Sequence, residues 1–359
     1  MNDDLRKEIR KVSLQNAFEH DGKTKDKIVL SKILGIVPEL KNNIKEIIPE
    51  IASIVSQVNA MSVEEQKTEI QNNFPEVLDV KEKVKEESVG LPPLDGAEQG
   101  KVVTRFTPAP NGYPHIGHAK AAIISEEYAR MYDGKIILRF DDTNPEDTRL
   151  EYWAAIKVGL DWLGIKFDGE KNTSDDIELL YDKCLDMIRK NNAYVCMCKR
   201  DEMSKNRRDM KSCKCSMSDT NQNEEKWGKM FNKYKPGEAI VRFRGDMESK
   251  NTVMRDPVLF RIIDAKHPRL GEKYRVWPSY DFAVAVEDYL DGVTHALRSK
   301  EYELRNELYY SILDVLGMKH PKMLEFSRLE FKGMPVSKRI LKPLIDDGKI
   351  SWYDDPRLP

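Results

Sequence analysis

Between Val102 and Phe140 the chain spells out a strand, a glycine-bearing loop, a helix and a second strand, and that order leaves few folds open. Val102-Val103-Thr104-Arg105-Phe106 is short and β-branched, as strands are. Ala119 to Tyr132 is rich in Ala, Ile and Glu, Asp133-Gly134 supplies a helix stop, and Lys135 to Phe140 is apolar again. This is one βαβ unit. Its helix N-terminus directs unpaired N–H groups and a positive dipole end toward the carboxyl edge of the first strand, where anions bind. The loop between them, Asn111-Gly112-Tyr113-Pro114-His115-Ile116-Gly117-His118, carries two of the six histidines three residues apart. Both can donate hydrogen bonds to the phosphate oxygens of a nucleotide. In isolation, two close histidines behind a turn are as readily coincidence as chemistry.

A chain of 359 residues can hold two or three domains. Charged residues make up 33% of it, yet the net charge is only -2, so any nucleic-acid contact has to come from local patches. The sequence has no apolar run of membrane-spanning length and starts with the acidic Met1-Asn2-Asp3-Asp4, which points to a cytoplasmic protein with no membrane contact. Four of the five cysteines form Cys196-x-Cys198 and Cys213-x-Cys215. Disulfide scaffolding is not expected in an intracellular protein of this size. The quartet could supply four thiolates to a structural zinc, or be four reduced, partly exposed thiols. Cys184 stands apart on an expected helix and reads as core.

Residues 1–95 read as a helical appendage. Ile44, Ile47, Ile48, Ile51, Ile54, Val55 and Val58 recur at helical spacing, with Pro49 a candidate kink, and Ser62-x-x-Glu65 is a capping-box pattern. The mixed charges of Lys81 to Glu87 suit a solvated helix end or linker, and Pro92-Pro93 and Gly96 break regular structure. Residues 100–192 alternate strand and helix, which predicts an α/β fold with a doubly wound parallel sheet. Ligands on such sheets bind at the carboxyl ends of strands. There, Asp141 could hold an ammonium group or magnesium; Asp142 reads better as an Asx-type helix start. Residues 193–265 break the alternation and form an inserted domain, with strand-like runs at Ala239 to Arg244 and Leu259 to Ile263. Lys199, Arg200, Lys205, Arg207, Arg208, Lys211 and Lys214 give it positive charge suited to an RNA backbone or to a solvated basic loop. Residues 266–325 resume the sheet domain, and 326–359 hold a loop, Gly333-Met334-Pro335-Val336-Ser337-Lys338-Arg339, with two adjacent cations and a hydroxyl.

Pro114 to His118 and Pro335 to Arg339 together resemble the two signatures of class I aminoacyl-tRNA synthetases, "HIGH" and a variant of "KMSKS" that keeps Ser-Lys. Arg105-Phe106, Leu138 to Pro145, Trp277 to Ala283, Asp291 to Tyr302, Ser327-Arg328-Leu329 and Trp352 to Pro359 look like the glutamyl and glutaminyl branch, in its archaeal form. The resemblance covers about residues 100 to 359. It implies a Rossmann-type catalytic domain, an inserted tRNA acceptor-binding domain, and, from 326, the start of a stem-contacting region. It implies ATP with Mg2+ as substrate, bound by Pro110, Asn111, Gly112, His115, Gly117, His118, Arg328, Leu329, Val336, Ser337 and Lys338. His115, His118, Ser337 and Lys338 are then the catalytic set, and Arg105, Asp141, Tyr280 and Arg298 the amino-acid site. Arg298 stands where glutamyl enzymes resemble one another in carrying arginine, so the resemblance favours L-glutamate and tRNA(Glu), with tRNA(Gln) as a further acceptor.

Other readings stay open at this point. Arg298 could pair with Glu301 or Glu303. Ala109 and Val284 are apolar where relatives often place polar groups. A glutaminyl enzyme, a paralogue acting on a modified tRNA base, and a tRNA-binding or protein-binding module that docks a partner through its N-terminal helices are the alternatives. The family continues beyond Asp354-Asp355-Pro356-Arg357 into anticodon-binding barrels, so the chain is expected to be a piece of a longer protein.

Overall fold

Helical periodicity builds the first unit of the chain, Met1–Pro92, by itself. Helices α1 (Asp3–Glu19), α2 (Asp26–Ile36), α3 (Ile44–Ala60) and α4 (Val63–Asn73) pack around Ile9, Val12, Ile33, Ile51, Val58 and Ile70. Pro49 does not split α3, which runs through it. Ser62 caps α4 in a complete capping box, with Ser62 N–H donating to Glu65 Oε2 at 2.8 Å and Glu65 N–H to Ser62 Oγ at 3.3 Å. This computed structural model describes residues 3–20, 22–37, 40, 44–75, 77, 90–329, 338–351, 355 and 357. The charged run at 81–87 lies outside them.

The second unit, Pro93–Pro359, holds the expected doubly wound sheet. Strand β1 (Val103–Phe106) pairs in parallel with β2 (Lys135–Phe140), and β2 with β3 (Gly169–Asn172). The connecting helices are α5 (Ile116–Met131) and α6 (Leu150–Trp162). After β3 come α7 (Ile177–Arg189) and a four-stranded antiparallel sheet, in order β4 (Ala193–Cys196), β5 (Ile240–Phe243), β6 (Val258–Ile262), β7 (Val276–Pro278). Between β4 and β5 lie α8 (Arg200–Arg208) and α9 (Thr220–Met230). By strand pairing the interruption therefore extends to 278 rather than 265, because Val276, Trp277 and Pro278 bond to β6. The chain then returns through α10 (Tyr280–Leu290), β8 (His295–Ser299), α11 (Asn306–Leu316) and β9 (Lys322–Phe326), followed by α12 (Lys338–Asp346). Strands β8 and β9 are parallel. Strand β8 lies beside β1: Thr294 N–H donates to Val103 O at 3.0 Å, and Arg105 Nη1 to Leu297 O at 2.7 Å. The parallel sheets β1-β2-β3 and β8-β9 thus lie side by side, in spatial order β3-β2-β1 then β8-β9. The order reverses at β1, and the crevice beyond β1 and β8 is where such folds bind ligands.

Strands β1 and β2 both end in Arg-Phe, and period-two alternation sends each pair to opposite faces. Phe106 and Phe140 join Ala122, Leu138, Trp153, Ile156 and Leu160 under α5 and α6. Arg105 and Arg139 enter the other face, where α10 presents acids. Asp288 takes Arg105 Nε at 2.9 Å, Arg105 Nη2 at 3.1 Å and Arg139 Nη2 at 2.7 Å, and Tyr309 Oη donates to it at 3.0 Å. Arg139 also pairs with Asp291, and Lys171 of β3 reaches Glu287 at 2.6 Å and Asp291 at 3.1 Å. Burial alone would raise the Asp288 carboxyl, but Arg105 and Arg139 hold it down to about 2. Asp288→Ala strands two buried guanidiniums and should cost about 3–5 kcal/mol in urea unfolding. A loss under 1 kcal/mol, on the scale of an exposed pair, would show that the network does not hold the sheet to α10.

Candidate active site

The histidine loop closes on itself to start α5. His115 has extended backbone angles, φ -141° and ψ 173°, and is the N-cap residue, so α5 begins three residues before the expected Ala119 and takes in His118. Gly117 N–H donates to His115 Nδ1 at 3.1 Å, and His115 N–H to His118 Nδ1 at 3.2 Å. The two rings stack with centroids 4.0 Å apart. A ring nitrogen that accepts carries no proton, so in each imidazole the site left for a hydrogen is Nε2. Gly117 is fitted to the ring of His115. A Cβ there would lie 2.9 Å from His115 Cε1, so only glycine lets the ring fold back onto the helix start.

A cavity of about 570 Å³ opens at the carboxyl ends of β1 and β8. It brings together Arg105, Asn111, His115, Gly117, His118, Asp141, Tyr280, Arg298, Arg328 and Leu329 from segments up to 224 residues apart in sequence (329 − 105 = 224). Pro110 and Gly112 belong to the loop but not to the wall, and Val284 is buried elsewhere while Ala109 does line it. Val336 and Ser337 lie outside the described residues. Lys338 opens α12, and nothing is described of its side chain. A neighbouring hollow of about 590 Å³ against α5 and α6 is almost wholly apolar, lined by Ile116, Ile123, Leu160 and Trp162. It lacks the acid and the arginines that line the first cavity.

Two arginines reach the cavity in opposite states. Arg105 is already engaged, with Nε and Nη2 on Asp288 and Nη1 on Leu297 O, so it is a structural cation first and a ligand group only through its remaining N–H bonds. Arg298 is 5% exposed, and among the described residues its one hydrogen bond runs from Nη1 to Asn306 Oδ1 at 3.4 Å. Its Nε and Nη2 are buried without partners. It does not pair with Glu301, which faces Arg328 at 3.4 Å. Its guanidinium sits 4.7 Å from the Tyr309 ring centroid.

Asp141 is pushed up to about 6 from the ordinary 3.8 by burial, against the pull of Arg139. Tyr280 is pushed up to about 12, also by burial, against Arg298 and Arg105, and stays a proton donor. Asp142, in contrast, is structural, though not as a helix start. It is fully buried and accepts from Ser174 N–H at 2.8 Å and Ser174 Oγ at 2.7 Å, with Arg269 3.5 Å away. Sequence reading missed Asp288, Arg139 and Tyr309, which back the cavity wall. The signal was present in the repeated Arg-Phe strand ends and in Glu287, Asp288 and Asp291 clustered on one helix.

The cysteine quartet converges on the other sheet. The four Sγ atoms lie within 4.8 Å of one another, with Cys196–Cys213 at 3.8 Å and Cys198–Cys215 at 3.9 Å. These are too long for disulfides, at about 2.05 Å. They match the edge of a tetrahedron whose centre lies about 2.3 Å from each sulfur, the zinc–thiolate distance. Met197 N–H points at Cys215 Sγ from 3.4 Å, and Arg242 Nη1 lies 3.8 and 3.9 Å from Cys213 and Cys196. Cys184 is fully buried in the main core.

The raised Asp141 carboxyl fixes a pH signature. Its folded-state value lies above the ordinary one, so its contribution to stability is full below about 4 and lost as pH rises through about 6. Asp141→Asn should raise Tm by about 2–4 °C at pH 7.5 and leave it unchanged at pH 4. The same substitution should abolish binding of ligands that carry an α-ammonium group, and in the parent chain that binding should weaken below pH 6. Equal Tm values for parent and variant at pH 7.5 would refute the burial argument.

Residues 101–359 match the family model described as tRNA synthetases class I (E and Q), catalytic domain. The whole chain is 65% identical to a glutamate--tRNA ligase of Nitrosopumilus maritimus, of which it covers 63%. It is 42% identical, over 99% of its length, to a glutamate--tRNA ligase of Thermococcus kodakarensis, again covering 63%. A crystal structure of a glutamate tRNA ligase from Elizabethkingia meningosepticum in complex with its amino acid superposes with a TM-score of 0.51 at 21% identity, covering 67% of this chain and 52% of that one. That last likeness is one of fold. The chain spans a little under two thirds of the length of the curated relatives it matches. With the switch-point cavity and the histidine-capped helix, the match over 101–359 means that this chain belongs to the class I tRNA synthetases of the E and Q type, through their catalytic domain.

Proposed function

We propose that the chain activates L-glutamate with ATP and passes it to the 3′ end of tRNA(Glu), the activity its archaeal relatives are named for. The carrying observation is Arg298, a buried cation on the cavity wall with two unpartnered nitrogens and no acid of its own among the described residues. A γ-carboxylate satisfies both the charge and the donors, whereas an amide cannot repay the desolvation. Asp141 takes the α-ammonium, and Tyr280 donates from the wall. ATP enters with its magnesium as part of the substrate and lies along His115, His118 and the α5 N-terminus. The glutamate α-carboxylate oxygen attacks the α-phosphorus, pyrophosphate leaves, and the Nε2–H groups meet the charge that develops on the phosphate oxygens. No side chain forms a covalent intermediate. Ser337 and Lys338 are assigned the leaving pyrophosphate on their motif alone. A ribose hydroxyl of the terminal adenosine then attacks the acyl carbon, and AMP departs.

The inserted sheet and α8 are our candidate surface for the tRNA acceptor end. Helix α8 buries none of its residues, and Lys199, Arg200, Lys205, Arg208, Lys211 and Lys214 are exposed. Arg207 is spent internally on Thr252 O at 2.7 Å.

Titration with 5′-O-[N-(L-glutamyl)sulfamoyl]adenosine and its glutaminyl counterpart tests the amino-acid assignment. The glutamyl compound should bind more tightly, and Arg298→Ala should weaken it about a hundredfold while barely touching the glutaminyl one. Preference for the glutaminyl compound would reverse the assignment, and binding of neither would favour a tRNA-binding or protein-binding module.

We further infer that Cys196, Cys198, Cys213 and Cys215 hold a structural zinc that ties the β4 end to the loop before α9, supported by the sulfur spacing. Elemental analysis should return one zinc per chain, falling to near zero in Cys198→Ser with Cys215→Ser. Metal-free chain of unchanged Tm would defeat this reading.

A further inference from the structure

Among the described residues Arg298 is held without an acid, and something other than an ion pair has to stabilise and aim it. The residue behind it is Tyr309, 1% exposed, on α11. Its ring faces the guanidinium at 4.7 Å, within cation–π range. Its Oη donates to Asp288 Oδ2 at 3.0 Å, the carboxylate that also clamps Arg105. Neither Tyr309 nor Asp288 lines the cavity.

We propose that Tyr309 is a positioning residue for side-chain selection, holding Arg298 charged, oriented and available by offering it a ring face instead of a carboxylate. The proposal rests on the glutamate reading above. A carboxylate at this place would neutralise Arg298 and compete with the ligand for its N–H groups. A ring quadrupole attracts the cation yet accepts none of its in-plane hydrogen bonds, so Nε and Nη2 stay without partners among the described residues, on a side chain that lines the cavity. The hydroxyl fixes the ring. Asp288, clamped by Arg105 and Arg139, is a rigid acceptor, so Tyr309 cannot rotate away without leaving a buried phenol unbonded. Asn306 completes the arrangement. Its Oδ1 takes one Arg298 N–H while its Nδ2 donates to Glu325, which holds that acid by an amide instead of by the arginine.

The test measures the ratio of affinities for the glutamyl and glutaminyl sulfamoyl-adenosines, with ATP affinity and Tm alongside, in the parent chain, Tyr309→Met and Tyr309→Phe. Methionine fills the space without a ring face; phenylalanine keeps the face and loses the hydroxyl. The selectivity ratio should fall about tenfold in Tyr309→Met and stay within about threefold of the parent in Tyr309→Phe, with ATP affinity unchanged in both. If Tyr309→Met does not fold, Tyr309→Leu takes its place. A parent chain that discriminates, with a ratio preserved in the ring-less variant, overturns the proposal and leaves the glutamate reading standing. Parallel loss of ATP affinity and selectivity marks Tyr309 as merely structural and also overturns it. A parent chain that does not prefer the glutamyl compound overturns both.

Discussion

The Asp288 carboxylate is the point on which the catalytic unit turns. It is fully buried and accepts from two guanidiniums and a phenol carried by β1, β2 and α11, while standing on α10 itself. The three strands β1, β2 and β3 each send one cation, Arg105, Arg139 and Lys171, to the acids of one helix and its C-cap, Glu287, Asp288 and Asp291. One face of the sheet is therefore joined to its helix by charge, while the opposite face is joined by Phe106, Phe140 and Trp153. An apolar face tolerates small slips, whereas a carboxylate that satisfies four donors fixes angle and depth together. What that rigidity positions is the end of β1 and, through Leu297 O, the end of β8, the two strands whose tips form the cavity.

The same economy of groups starts α5. Its first turn would ordinarily be capped by a serine or aspartate. Here the cap is made by two imidazoles, so the groups that close the helix also turn their Nε2–H bonds away from it. The cap thus uses the same rings that are proposed above to meet phosphate, and the glycine between the histidines is required by the ring of His115 rather than by backbone strain.

Much of this architecture was legible in the sequence, and what was not has physical reasons. The βαβ unit, the limits of β2 at Lys135 and Phe140, and the capping box at Ser62 follow from local rules that tertiary packing did not override. The α5 start was misplaced because histidine is not an ordinary cap. Arg105 and Asp142 read as ligand groups or helix starts because nothing local in sequence reveals partners 183 and 32 residues away. The β7 strand was given to the resumed parallel sheet because its three residues follow a long turn and pair backward to β6. Arg298 was separable from its nearby glutamates only in three dimensions: β8 aims it at Tyr309 while Glu301 turns to Arg328.

The cavity concentrates groups that cost stability. Among the described residues Arg298 keeps buried nitrogens without partners, while burial pushes Asp141 up to about 6 and Tyr280 up to about 12. Under the function proposed above, each cost is repaired by a different part of one ligand, a γ-carboxylate at Arg298 and an α-ammonium at Asp141, and both must be present for the repairs to add. On that reading recognition lies in the distance between Arg298 and Asp141 across one cavity. The buried network around Asp288 is what keeps that distance constant, because it spends its own acids on Arg105 and Arg139 and leaves Arg298 to the ring of Tyr309.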